Sequence, residues 1–121
     1  MKQPETLMTA VVRGEAELDA LGELGVVVTG GCAEFELLEP PGLPVVVVSP
    51  QSLLRGLVAH WTKGAQLQTW SRVMLGLNAL DFREVEDHGA GDDLLEAIWD
   101  SSAGSEITHD RIHRLLKVIG E

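Results

Sequence analysis

"VSPQSLLRGLVAHW", residues 48–61, is where this 121-residue chain changes character. Ser49 offers a side-chain oxygen suited to an N-cap. Pro50 follows at the first helical position, where its missing N–H costs no hydrogen bond. Val48 and Leu53 stand at the two positions of a hydrophobic staple. Leu53, Leu54, Leu57, Val58 and Trp61 then recur at helical spacing, and Gly64 is placed to end the run. The stretch predicts a helix that begins abruptly after an apolar strand.

Upstream of it lie short β-branched runs broken by glycine and proline. "VVVV" (45–48) reads as a strand, apolar on both faces and hence expected to be covered on both. "EPPGLP" (39–44) is a loop, because three prolines and a glycine sustain neither a ladder nor a helix. "CAEFELL" (32–38) sets Cys32, Glu34 and Glu36 against Ala33, Phe35 and Leu37, the alternation of a half-buried strand. "GVVVT" (25–29) reads as its partner, joined by a two-residue "GG" turn (30–31). Leu18, Leu21 and Leu24 suggest a helix from about Glu15, capped by Gly25. "LMTAVV" (7–12) is compatible with either helix or strand.

Downstream the helical period dominates. Leu67, Trp70, Val73, Met74 and Leu77 mark a second helix from about Gln66. The short link at "TKGA" (62–65) makes the first two an antiparallel hairpin. "EDHGAGDD" (86–93) reads as a polar loop, and "DDLLEAIWD" (92–100) as a third helix with acids in its first turn. The last helix follows Thr108 as N-cap, with Ile107 and Ile112 at staple positions and Leu115, Leu116 and Ile119 continuing the stripe. The expected fold is one α+β domain over residues 1–121, β-rich in 1–48 and helical in 49–121. A small antiparallel β-meander of about three strands would carry four helices packed on it, in two layers.

Few residues suggest a reaction. His109 and His113 stand one helical turn apart, a spacing at which two imidazoles can share a metal. They flank the apolar stripe, and no HExxH motif or cysteine pair supplies further ligands, so the pair reads first as a helix start. The alternative is a small-ligand or metal site in which His88, His109 and His113 converge with nearby carboxylates. Cys32, the single cysteine, excludes an internal disulfide and fits a reducing compartment. Its neighbours Glu34 and Glu36 disfavour a thiolate, so a buried structural role is expected. "GELGVVVTGG" lacks the Lys-Ser/Thr of a phosphate loop, and the acidic segment does not follow the calcium-loop pattern. No GxSxG motif occurs either. The expectation is a non-enzymatic protein without a cofactor.

Charge is the stronger signal. The chain carries a net charge of −10, distributed unevenly. Residues 1–49 are acidic, and residues 50–80 hold Arg55, Lys63 and Arg72 with no acid. Residues 81–106 set nine acids against Arg83 alone, and residues 107–121 are slightly basic. Such an acidic run repels nucleic-acid phosphates and attracts cationic surfaces. The expected partner is therefore a basic protein rather than nucleic acid. It would be engaged through Glu84, Glu86, Asp87, Asp92, Asp93, Glu96 and Asp100, with Trp99 as an aromatic anchor. Small immunity proteins that neutralise bacterial nuclease toxins are similar in size, charge and helical second half, a resemblance of class that no motif carries. Acidic chaperones of secreted proteins share the same general properties. No apolar run is long enough for a signal peptide or a membrane span, so a cytoplasmic protein is expected. A homodimer through "VVVV" or a tryptophan stripe is a further expectation.

Overall fold

The computed structural model describes residues 3–29, 35–63 and 66–120. Helices and strands are mixed, but their arrangement departs from a meander followed by helices.

The first element is a helix, α1 (Pro4–Val12), with proline in its first turn. Leu7, Met8, Val11 and Val12 form its buried face, which settles the ambiguous 7–12 stretch as helical. The helix expected over 15–24 is a 3₁₀ helix confined to Leu18–Leu24, closed by Gly25 in the left-handed region at φ 84°. Leucines exactly three apart, with no i+4 companion, suit three residues per turn better than 3.6.

β1 (Val27–Thr29) pairs antiparallel with β2 (Glu36–Leu38), in register Val27–Leu38, Val28–Leu37 and Thr29–Glu36. Val28 and Leu37 are half-buried while Val27 and Leu38 are exposed, as period-two alternation requires. The "GG" turn and Cys32 lie outside the described residues.

No third meander strand follows. β3 is only Val46–Val47, and it pairs parallel with β4 (Leu80–Asp81), which the sequence reading missed. Nor is β3 covered on both faces: Val46 and Val48 are buried, but Val45 and Val47 are 66% and 48% exposed. Parallel strands need a long crossover. Here it consists of α2 (Pro50–Lys63) and α3 (Leu67–Gly76), which pack on each other between the two strands. Glu39 ties this unit to the hairpin, its two carboxylate oxygens accepting the Asn78 and Ala79 N–H groups at 2.7 and 3.0 Å.

α2 begins as its sequence dictates. Ser49 Oγ accepts the Ser52 N–H at 3.1 Å, and Val48 and Leu53 are both buried. Trp70 on α3 is fully buried and donates its indole N–H to the Val11 carbonyl at 3.2 Å, capping the C-terminal end of α1. The buried His60 ring stacks on Trp70, centroids 5.3 Å apart. Where a polar loop was expected to begin at Glu86, a one-turn helix α4 (Arg83–Asp87) is seated by the buried Val85. It abuts α5 (Gly91–Ser102), where a Cβ on Gly91 would strike the Val85 carbonyl.

α6 (His109–Leu115) starts as expected, with Thr108 Oγ1 accepting the Arg111 N–H at 3.2 Å, and continues as a π-helical segment, Leu116–Gly120. Ile107, Ile112, Leu115 and Ile119 are buried in the same core as Met8 and Val11 of α1. The division at residue 48 therefore does not separate strands from helices: α1 and the 3₁₀ helix precede it and β4 follows it. Among the described residues, no helix is long and apolar enough to cross a membrane.

Candidate functional site

The acidic segment folds into α4 and α5, and its carboxylates divide into two groups. Glu84, Glu86, Asp87, Asp92 and Asp93 are exposed and make no ion pair with a described residue. Glu106, beyond α5, is exposed without an ion pair as well, while Asp81, Glu96 and Asp100 are engaged from within the chain. Two guanidinium nitrogens of Arg83 converge on Asp81 Oδ2, Nε at 2.8 Å and a terminal nitrogen at 2.7 Å, while Oδ1 accepts the Arg83 backbone N–H. Arg111 reaches from α6 to Asp100 at 2.8 Å and to Glu96 at 4.0 Å. The basic hairpin turns elsewhere, Arg55 to Glu15 at 3.4 Å and Lys63 to Glu17 at 3.9 Å. Internal ion pairs thus take up Glu15 and Glu17 of the first half and Glu96 and Asp100 of α5, and leave the acids of α4 and the start of α5 without one among the described residues.

Spacing decides what α5 presents. Leu94, Ala97, Ile98 and Ser101 form its buried face. Asp92, Glu96 and Trp99, four and then three residues apart, fall on the opposite side. Trp99 is 65% exposed, unlike Trp70 and the half-buried Trp61, so of the three tryptophans it alone stands out into solvent. An exposed indole on the same side of a helix as two carboxylates is suited to an arginine or lysine, by charge attraction and by contact with the ring face.

Asp93, Glu96 and Asp100 line the flank of α5 that faces α6 across a groove of about 760 Å³. Arg111, Arg114 and Lys117 line it from α6 and the π-helical segment, and Leu115 and Val118 supply its apolar surface. This basic row was not singled out from the sequence, although its three-residue spacing was visible there. A smaller cavity of about 350 Å³ lies at the start of α2, beside Arg13, Ser49 and Ser52. There Arg13 Nε and Ser49 Oγ both donate to Ser52 Oγ, at 3.1 and 2.9 Å, which serves the helix start.

The histidines do not converge. His109 lies edge-on to Trp61 with ring centroids 4.8 Å apart, and the Trp61 indole N–H donates to the Ile107 carbonyl at 3.0 Å. His88 Nδ1 accepts the Ala90 N–H at 3.0 Å, in the turn between α4 and α5. His113 is exposed on α6. Among the described residues, no group of three or more His, Cys, Asp or Glu side chains is gathered so as to hold a metal ion.

One carboxylate here has a shifted titration. The hydrogen bonds from the Arg83 side chain, and then from its backbone N–H, hold the Asp81 carboxyl below its ordinary value. A depressed folded-state pKa contributes stability that is present above the unfolded value and lost as pH falls through the folded one. In an NMR titration, Asp81 is therefore expected to protonate below the ordinary aspartate range. Arg83→Ala, which keeps the backbone N–H, is expected to raise it toward the ordinary range, and an Asp81 midpoint unmoved by that substitution would contradict the assignment. The chain matches no family model, no curated protein and no solved structure, and its functional reading rests on the geometry of its own residues.

Proposed function

We propose that this chain is a non-enzymatic protein-binding module whose α4–α5 surface engages a cationic protein, in an immunity- or chaperone-like role. The observation that carries this reading is the group Glu84, Glu86, Asp87, Asp92 and Asp93, exposed and without an ion pair on α4 and the start of α5, the helix that also carries the exposed Trp99. Five carboxylates without an ion pair on two adjoining helices repel one another, the charge of Arg83 offsetting part of this at Asp87 and Glu84. A partner that supplies arginines and lysines relieves this repulsion and buries the indole in the same step. The expected interface places Trp99 at its centre, with Asp92, Asp93, Glu96 and Asp100 around it and the α4 acids at the rim. The same field disfavours nucleic acid as the partner.

The test is capture from a cell extract on the immobilised chain, with wash steps at low and at high salt. Basic proteins are expected to be retained at low salt and released at about 0.3 M, where the screening length falls to roughly 6 Å. Neutralising Glu84, Glu86, Asp87 and Asp92 together, as Gln or Asn, is expected to slow association with a captured partner by about tenfold or more. Trp99→Ala is expected to speed dissociation instead, because it removes contact area rather than long-range field. If no basic protein is retained at low salt, or if the neutralised variant retains it equally, the carboxylates serve only solubility.

A further inference from the structure

The α5–α6 groove has a property that the outward acidic face lacks: its two sides carry opposite charge. Asp93, Glu96 and Asp100 line one side, and Arg111, Arg114 and Lys117 the other. Opposite charges brought within contact close into ion pairs, and one residue does so. Arg111 bridges to Asp100 at 2.8 Å and to Glu96 at 4.0 Å, tying the two helices together. Asp93, Arg114 and Lys117 border the same groove, yet none makes an ion pair with a described residue, and all three are exposed. Between them, Val118 is 56% exposed and Leu115 lies beneath. The groove is therefore zipped by Arg111 and open beside it, with acid, apolar surface and base all left for something else to satisfy.

A purely cationic ligand would meet Arg114 and Lys117, and a purely anionic one would meet Asp93 and Glu96. Only a ligand with both signs matches both sides. The volume of about 760 Å³ lies within the range of small-molecule sites, roughly 300–1,000 Å³, and leaves room for more than a single amino acid. We propose that this groove binds a short free peptide as a zwitterion. Its terminal ammonium lies against Asp93 and Glu96, its terminal carboxylate against Arg114 and Lys117, and an apolar side chain rests on Leu115 and Val118. The groove shares Asp93, Glu96 and Asp100 with the edge of the face that meets a basic protein, whereas Glu84, Glu86, Asp87 and Asp92 do not line it.

The test is an NMR titration of the full chain with the tripeptide Ala-Leu-Ala up to about 10 mM, a weak-binding range corresponding to about 3 kcal/mol. The same peptide is run N-acetylated and, separately, C-amidated. Saturable shifts at Asp93, Arg114, Leu115, Lys117 and Val118 are expected with the free peptide, and each blocked form is expected to bind at least about fivefold more weakly. Arg114→Gln with Lys117→Gln is expected to weaken the free peptide about tenfold while leaving the C-amidated form unchanged. Asp93→Asn is expected to do the same toward the free and N-acetylated forms respectively. These side chains are exposed, so the variants keep the fold, and a thermal melt checks this. Absence of saturable shifts, shifts centred elsewhere, or equal binding of the blocked peptides would overturn the proposal. Equal binding would indicate an internal segment of a protein instead.

Discussion

Replacing Gly56 with alanine is expected to destabilise the protein by about 3 kcal/mol or more, although the same change in an open helix interior would stabilise it by about 1 kcal/mol. The propensity gain is present here too, since Gly56 lies within α2. Steric conflict outweighs it. A Cβ at this position would drive into the Val12 carbonyl oxygen and come within 2.6 Å of Trp70 Cζ2. The first neighbour is backbone at the end of α1, so it cannot rotate away as a flexible side chain would. Gly14, at φ 74°, repeats the close approach from the other side, with its own Cβ position 2.7 Å from the Ala59 Cβ. Denaturant unfolding of Gly56→Ala measures the effect, and a midpoint lowered on the order of 10 °C is expected in a thermal melt. Gly22, with nothing within 4 Å of its Cβ position, is the control: Gly22→Ala is expected to be neutral to slightly stabilising. A Gly56→Ala protein as stable as the parent would mean that α1 and α2 do not cross this closely.

Trp70→Ala is expected to cost about 3–5 kcal/mol, a large part of the 5–15 kcal/mol that holds a domain of ordinary stability together. The residue has no exposed surface, and its ring stacks on His60. Its N–H also reaches the Val11 carbonyl, which accepts as well from the Gly14 N–H at 3.1 Å. Trp70→Phe keeps much of the apolar volume but loses that donor, and is expected to cost less than half as much. Combining Trp70→Phe with Gly56→Ala separates the two conflicts at Gly56. The phenyl ring relieves the clash with Cζ2 but not the one with the Val12 carbonyl, so the double variant is expected to stay destabilised by most of the Gly56→Ala cost. Rescue to the Trp70→Phe level would show that the indole, not the backbone, sets the limit at Gly56.

Both substitutions act on the junction of α1, α2 and α3, and neither residue touches α4 or the outward face of α5. This division separates a folding defect from a binding defect. Loss of the carboxylates on α4 and α5 is expected to change association with little effect on the melt, because exposed unpaired charges contribute little to stability. Arg111 is the exception. It is partly buried and joins Asp100 and Glu96 to α6, so its substitution would disturb both the groove and the packing.

Much of the helical half was legible in the residues. Ser49, Pro50 and the stripe from Leu53 to Trp61 specify the start of α2, and Thr108 with Ile107 and Ile112 specifies that of α6. Capping and period are local, so they act over a few residues and leave their mark in them. The antiparallel pairing of β1 with β2 follows from alternation in the same way. The parallel pairing of β3 with β4 does not. Two residues at 46–47 meet two at 80–81 only because α2 and α3 fold back between them, and a two-residue strand has no period to detect. Exposure of Val45 and Val47 is likewise invisible in "VVVV", because what covers a strand face is decided by distant elements.

For the candidate site, the sequence determined the sign and density of charge over residues 81–106 and the helical spacing that puts Asp92, Glu96 and Trp99 on one side of α5. Only the tertiary structure decided which of those charges are spent. Arg111 neutralises Asp100 and approaches Glu96 because the π-helical segment packs on α2 and so brings α6 alongside α5, while Lys63 and Arg55 are drawn to Glu17 and Glu15 of the first half. The same docking builds the groove with its basic row, and it leaves His88, His109 and His113 apart. Charge and period are properties of a residue and its near neighbours in the chain. Neutralisation and convergence depend on distances that the packed core sets.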